Sequence, residues 1–377
     1  MNTLAPRPRM AWLDFLKLIA IFLMISNHCT DNVHPSQRCE EWYNVWGSFY
    51  NTFTRSAIPL FVMVTGVLLL PVKESDFVQF WKKRVSRLVI PFLVWSLIYN
   101  LFPFFLSLFG CSPADVNIFF AWVDPNTGMS EMAKRIAEIP LTFSLYAVQM
   151  WYIFVLIGIY LYLPFFSAWV KQASKREMQL FLLVWVVTLF IPYIRQYLVP
   201  NLWGECSWNE FGMLYYFAGF NGYLLLGHYF VKYPLQWSWL RTLAVCVPMY
   251  LVGYTVTFVG FKTITAEPTS SEAMVELFFT VCSPNALLMT IPLFLMAQKL
   301  PLRSEKLCAI LRSVSICTFG IWMCHYLFVG PIYDVVELLG MHTLANMIVS
   351  SALVTLAAWA FVAAILRWIP GAKWFMG

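Results

Sequence analysis

Blocks of about 20 apolar residues recur along the whole chain, and short polar connectors separate them. A helix needs roughly 20 residues to cross about 30 Å of hydrocarbon, so each block has the length of a transmembrane helix. We predict an all-α fold: a polytopic integral membrane bundle of ten transmembrane helices that forms a single domain over residues 1–377. The predicted spans are 11–30, 53–71, 88–109, 145–166, 178–194, 213–231, 239–260, 275–298, 313–331 and 342–366.

Composition and charge support this prediction. Sixty per cent of the 377 residues are hydrophobic and 12% are charged, whereas about a quarter of the residues in soluble domains are charged. Most of the 25 Lys and Arg residues fall in alternate connectors, and cytoplasmic connectors are the ones that carry such an excess. This segregation predicts that both termini are cytoplasmic. The net charge of +6 then needs no nucleic-acid partner.

The first predicted span carries three ionisable residues, which are costly inside a bilayer. Lys17 and His28 are eleven residues apart, so they share a helix face to within about 20° and lie ~16 Å apart along the axis. Asp14 falls on the same side. The alternative interpretation is a snorkelling pair at positions 14 and 17 and a packing histidine at position 28. We take His28 as the candidate catalytic centre.

Four more polar or aromatic residues fall at a similar depth in other predicted spans. Arg55 opens the second span, Gln149 and Trp151 begin the fourth, and His325 lies in the outer part of the ninth. Side chains from different spans can form one site inside the bundle only if they lie at a similar depth in the membrane. We predict catalytic roles for His28, Arg55 and His325, and substrate binding for Gln149 and Trp151.

A basic cluster lies just before the third predicted span. Arg84 and Arg87 are one helical turn apart, and Lys83 precedes them, so the guanidinium groups have the spacing to hold phosphate oxygens. The alternative is a topological anchor or a contact with anionic lipid. The nine cysteines show no metal-ligand spacing, so we predict no metal. Cys39, Cys111 and Cys206 lie in outer connectors, where a disulfide is feasible.

Several segments, in order, resemble the acyltransferase-3 family of membrane O-acyltransferases. LDFLKLIAIFLMISNH (13–28) is similar to the family's first span, in which an Arg is followed after ten residues by a His. TRSAIPLFVMVTGVLLL (54–70) and KKRVSRLVIPFLVW (82–95) resemble its next two segments. MWYIFVLIGIYLYLP (150–164) and SICTFGIWMCHYLF (315–328) resemble its Trp-containing and second-histidine segments. The resemblance covers residues 11 to about 330 and includes the spacing.

The resemblance implies a multi-pass enzyme of the bacterial cytoplasmic (inner) membrane that transfers an acyl group, usually acetyl, from cytoplasmic acyl-CoA. The implied acceptor is a hydroxyl of a cell-surface or lipid-linked glycan, and membrane lipid surrounds the enzyme. CoA would be held by Asp14, Lys17, Lys83, Arg84 and Arg87. His28 would act either as a general base or as a nucleophile. Arg55 and His325 would polarise the thioester carbonyl or stabilise its oxyanion.

Some positions depart from the family pattern. Lys17 stands where the family usually has Arg, Gln149 replaces the usual His, and Thr65 replaces a Ser. The change at position 149 argues against an acid or base role there. We expect no fused esterase-like domain, so the chain would act alone, as a homo-oligomer, or with a separate extracytoplasmic transferase. The competing function is a transporter or flippase of a lipid-linked saccharide, which would arrange its charges around a midplane cavity.

Overall fold

The structure is a computed structural model that describes residues 10–31, 46–74, 76–117, 120, 129–142, 144–265, 274 and 276–377. Its regular elements are helices, and they run in chain order. They are α1 (Ala11–Asp31), α2 (Trp46–Thr54), α3 (Ala57–Leu69), α4 (Phe77–Leu108), α5 (Pro113–Val116), α6 (Met129–Glu138), α7 (Trp151–Gln172), α8 (Lys175–Tyr197), α9 (Asn221–Lys232), α10 (Trp239–Thr265), α11 (Pro284–Gln298), α12 (Glu305–Cys324), α13 (Tyr326–Glu337), α14 (Thr343–Trp368) and α15 (Lys373–Met376).

Three segments are short 3-10 helices: Leu145–Met150, Leu202–Gly204 and Gly212–Phe217. The first of them leads directly into α7.

Eight stretches of helix in the described residues are long and apolar enough to cross a membrane. They are α1, α2 with α3, α4, the first 3-10 helix with α7, α8, α10, α12 and α14. The all-helical, membrane-spanning class is therefore confirmed. The other two of the ten predicted spans correspond to α9 and α11, which have 12 and 15 residues and reach only about 18 and 22 Å at 1.5 Å per residue. The count of ten and the cytoplasmic termini stay predictions.

Local sequence explains where several helices begin. Asp76 accepts hydrogen bonds from the backbone N–H groups of Val78 and Gln79 at the start of α4. Ser174 and Glu177 form a reciprocal capping box at the start of α8. Such caps satisfy backbone donors that the first helical turn leaves without a partner.

Helix α1 lies at the centre of the bundle. It packs against α2, α3, α11, α12, α13 and α14. Its buried face includes Ala20, Ile21 and Ile25, each with no exposed surface. A helix surrounded on most sides is the place where a polar side chain is best shielded from lipid.

Helices α3 and α9 pack unusually closely because each contributes a glycine at the crossing. A Cβ atom on Gly66 would lie 2.0 Å from the carbonyl oxygen of Leu224, and one on Gly227 would lie 2.2 Å from that of Met63. Small residues allow this backbone approach between membrane helices. The contact fixes the short helix α9 against α3, the helix that begins two residues after Arg55.

The predicted outer cysteines are only partly described. Cys111 and Cys206 both carry free thiols, so they are not paired with each other. Cys39 lies outside the described residues.

Candidate active site

Three side-chain rings meet where α1 ends and α12 passes into α13. The ring centroid of His28 lies 5.3 Å from that of His325 and 4.5 Å from that of Tyr326. His325 and Tyr326 are 5.0 Å apart. His325 is fully buried and Tyr326 is 1% exposed, whereas His28 is only partly buried. The structure therefore brings together the two histidines predicted from the sequence and adds a tyrosine.

The hydrogen bonds of His325 fix where its proton resides. Its Nδ1 lies 2.7 Å from the carbonyl oxygen of Trp322, and a carbonyl only accepts, so Nδ1 of the neutral ring carries the hydrogen. Nε2 then presents a lone pair, and within the described residues it has no hydrogen-bond partner. A neutral His325 in this tautomer accepts a proton or a hydrogen bond at Nε2. It would have to be an imidazolium to donate to an oxyanion.

Arg55 lies between α2 and α3, where the two helices are interrupted. Its Nη2 donates to the side-chain oxygens of both Asn27 and Asn51, and its Nη1 donates to the carbonyl of Phe279 at 3.2 Å. The guanidinium also lies 4.5 Å from the centroid of the Phe279 ring. The recorded contacts connect Arg55 to Asn27, the residue before His28. The predicted contact between Arg55 and a reacting carbonyl stays a prediction.

Asn27 is the centre of this polar network. Its Oδ1 accepts hydrogen bonds from Asn51 Nδ2 at 3.1 Å and from Thr54 Oγ1 at 3.1 Å, besides the one from Arg55. Asn51 Nδ2 also donates to Thr30 Oγ1 at 2.7 Å. Hydrogen bonds on both sides of His28 in the sequence restrict how the last turn of α1 can rotate.

Gln149 and Trp151 occupy different environments. Gln149 is 1% exposed, and its Nε2 lies 3.5 Å from the carbonyl oxygen of Met323, close to His325 in the chain. Trp151 is 38% exposed and lines a separate small cavity beside Ser144. It is the next residue, Tyr152, that faces the larger cavity described below.

A cavity of about 210 Å³ lies between α1, α3, α7 and α12. Lys17 lines it, and its Nζ donates to Ser315 Oγ at 3.3 Å. Tyr152 also lines it, and within the described part of the chain the hydroxyl of this buried tyrosine has no hydrogen-bond partner. The lining extends to Met24, one turn before His28. Asp14 is 6% exposed and lies on the same helix.

The three basic residues at the start of α4 differ in exposure. Arg87 is exposed and Arg84 is partly buried. Within the described residues, the buried Nε of Arg84 has no acceptor. Lys83 forms an ion pair with Glu74 at 3.1 Å. Burial is the largest single effect on Glu74 and raises its pKa. The hydrogen bond from Lys83, a backbone hydrogen bond and the positive charges of Lys83 and Arg84 together outweigh it and lower the pKa of the carboxyl group.

Sequence reasoning missed Tyr326 and Asn27. Neither is ionised at neutral pH, so neither registers as a costly charge inside a span. Tyr326 directly follows a predicted catalytic residue, and Asn27 directly precedes one; that adjacency was the available signal. In the searched part of the chain, no group of three or more His, Cys, Asp or Glu side chains has the arrangement of a metal site.

Comparison with known proteins identifies the class. The model of the acyltransferase-3 family, described as an acyltransferase domain, matches residues 10–365. The chain belongs to this family and is a multi-pass membrane acyltransferase. The match includes both histidines, Arg55 and the basic start of α4. Searches among curated proteins and among solved structures gave no match.

Proposed function

We propose that the protein transfers an acyl group, which we expect to be acetyl, from cytoplasmic acyl-CoA to a hydroxyl of an extracytoplasmic or lipid-linked glycan. The observation that carries this proposal is the pair formed by His28 and His325 in an acyltransferase-3 domain, about one helical turn beyond the cavity residue Met24. Two neighbouring imidazole rings, one fully buried and one partly buried, are suited to moving the proton that acyl transfer to a hydroxyl releases. The bacterial inner membrane, with both termini cytoplasmic, is the proposed location.

The proposed donor site begins at the start of α4. Arg84 and Arg87, with Lys83 beside them, would bind the phosphates of CoA. The Nε of Arg84, which has no acceptor among the described residues, is a donor suited to a phosphate oxygen. The pantetheine arm would occupy the cavity lined by Lys17 and Tyr152. Its amide groups match the hydroxyl and ammonium groups there. Asp14 would help to order Lys17.

The proposed reaction has one proton transfer and one acyl transfer. His28 takes the proton from the glycan hydroxyl, the oxygen attacks the thioester carbonyl carbon, and the carbon–sulfur bond breaks. The CoA thiolate then takes the proton from His28, so the histidine returns to its neutral state. The alternative is attack by His28 itself, which would give a transient acyl-imidazole before the hydroxyl attacks. Gln149 and Trp151 are the proposed acceptor-binding residues.

The first test uses purified protein and radiolabelled acetyl-CoA. We expect wild type to cleave the thioester and to label an added glycan acceptor, and His28→Ala to do neither while remaining folded. His228→Ala is the matched control, because His228 is also a partly buried histidine with a ring-nitrogen hydrogen bond, to the carbonyl of Leu70 at 3.1 Å. Wild-type activity in His28→Ala would contradict the mechanism. A transporter or flippase would leave the thioester intact in every variant.

A second test addresses the donor site. Replacing Arg84 and Arg87 together by Ala should raise the KM for acyl-CoA, since two phosphate-binding cations are lost. The matched control replaces Lys171 and Lys175, two exposed cations at other helix ends. An unchanged KM in the double arginine variant would assign the basic cluster to membrane topology alone.

A further inference from the structure

The hydroxyl of Tyr326 contacts the catalytic histidine directly, and the proposed function gives it no role. Tyr326 Oη and His28 Nδ1 form a hydrogen bond of 2.5 Å, and the two rings are 4.5 Å apart. This bond occupies one of the two nitrogens of His28. Reaction through the other nitrogen, Nε2, would leave this bond in place.

The direction of this hydrogen bond decides what Nε2 can do. A neutral imidazole carries hydrogen on one nitrogen and a lone pair on the other, and the partner of the non-reacting nitrogen selects between the two forms. If Nδ1 donates to the tyrosine oxygen, Nε2 has a lone pair and can take a proton. If the tyrosine donates instead, Nε2 carries hydrogen and cannot act as a base.

His325 illustrates the first arrangement in the same cluster. Its Nδ1–H donates to the carbonyl of Trp322 at 2.7 Å, which leaves Nε2 with the lone pair. Tyr326 follows His325 in the chain, so one short segment contacts Nδ1 of both histidines. That segment is firmly held: Tyr99 donates to the carbonyl of Met323 at 2.9 Å.

We propose that Tyr326 is the positioning residue of His28: its hydroxyl oxygen accepts a hydrogen bond from His28 Nδ1–H and so directs the lone pair of Nε2 toward the substrate hydroxyl. The role corresponds to that of the carboxylate in a Ser-His-Asp triad, which holds the imidazole in the correct tautomer and orientation. The proposal rests on the proposed function only for its catalytic consequence. The tautomer itself is a property of the folded protein.

The tautomer is measured directly by solid-state ¹⁵N NMR on the full chain in lipid bilayers. The chain has only five histidines, so single substitutions assign their signals, and protonated and unprotonated ring nitrogens have well-separated shifts. In the neutral form of the ring, we expect His28 to carry hydrogen on Nδ1. We expect Tyr326→Phe to shift His28 toward the Nε2–H form without changing His325.

The matched control is Tyr333→Phe, which removes a hydroxyl from the same helix. Tyr333 is equally buried and packs against Tyr50 and Met347. Its spectrum should match that of wild type. Hydrogen on Nε2 of His28 in wild type, or an unchanged His28 tautomer in Tyr326→Phe, would overturn the proposal.

Kinetics supply the catalytic half of the test. Tyr326→Phe should lower kcat about 10- to 100-fold, as expected when one hydrogen bond to a group that becomes charged is lost. The KM for acyl-CoA should not change, because Tyr326 would not touch the donor. A wild-type kcat, or an effect confined to KM, would count against the positioning role. A wild-type protein with no acyl transfer would defeat the proposed function while leaving the NMR result intact.

Discussion

Arg55→Lys tests whether the guanidinium group orders the end of α1. Lysine keeps the positive charge but replaces a planar fork with a single ammonium group. The two terminal nitrogens of the fork make three of its hydrogen bonds: Asn27 and Asn51 accept from Nη2, and the carbonyl of Phe279 accepts from Nη1 at 3.2 Å. Nε also donates to the backbone carbonyl of Asn51 at 3.4 Å. One ammonium at the end of a flexible chain cannot reach all three acceptors in the same geometry.

The expected cost follows from these contacts. Each hydrogen bond to a charged group contributes about 1.5–3 kcal/mol, and lysine should keep one or two of the three. We therefore expect the free energy of unfolding to fall by about 2–4 kcal/mol. Asn27 should also become less well fixed. Because a misplacement of about 1 Å can cost roughly 100-fold in rate, we expect kcat to fall about 10- to 100-fold with little change in the KM for acyl-CoA.

Unfolding can be followed with a thiol-reactive fluorophore. Cys29 and Cys324 are buried and become reactive only when the bundle opens. The control is Arg195→Lys, because Arg195 is also an arginine with a close acidic partner, Glu205 at 2.6 Å, but it lies outside the Asn27 network. An unfolding midpoint and a kcat for Arg55→Lys that both match wild type would refute the assignment of Arg55 to the Asn27 network.

Three further predictions concern the helix crossing at Gly66 and the ion pair of Glu74 beside the proposed donor site. Gly66→Ala should lower the unfolding midpoint and membrane yield strongly, because its Cβ would lie 2.0 Å from the backbone oxygen of Leu224; Gly158→Ala, with nothing within 4 Å, should match wild type. Glu74→Gln should lower the KM for acyl-CoA, because Lys83 is released from its ion pair. The ion pair between Lys83 and Glu74 stabilises the fold above the ordinary Glu74 pKa of 4.5, and this stabilisation is lost as pH falls through the lowered pKa. Acidification through that range should therefore make wild type easier to unfold, and Glu74→Gln should not show this change.

Most of the helices could be predicted because the bilayer requires long apolar segments. Segment 275–298 shows the limit of that approach. The apolar residues before Pro284 extend the hydrophobic run, but α11 begins only at Pro284 with Ser283 as its cap. Proline has no N–H to donate and is suited to the first turn of a helix. Hydropathy alone does not register this start signal, so it does not locate the first residue of α11.

The site was predictable where it depends on charge and depth. His28 and His325 do meet, as their similar depth indicated. Tyr326 could not be predicted because neighbouring residues on a helix point about 100° apart, and only the packing of α1 against α12 and α13 decides that both residues 325 and 326 touch His28. Asn27 could not be predicted for another reason. Its role depends on the donors from Asn51, Thr54 and Arg55 that converge on its Oδ1, and the order of residues in the sequence does not show this convergence.

Trp322 connects the cavity to the histidine pair. It lines the same cavity as Lys17, its ring lies 5.2 Å from that of Tyr152, and its carbonyl accepts the hydrogen bond that fixes the tautomer of His325. Met24 also lines this cavity. It precedes His28 by four residues, about 6 Å along the helix. A donor that fills the cavity from Lys17 to Met24 would thus end about one helical turn from His28, and it would press on the residue that sets the proton acceptor of His325. Donor binding and proton placement would then depend on one shared residue, because the side chain of Trp322 lines the cavity and its backbone carbonyl holds His325.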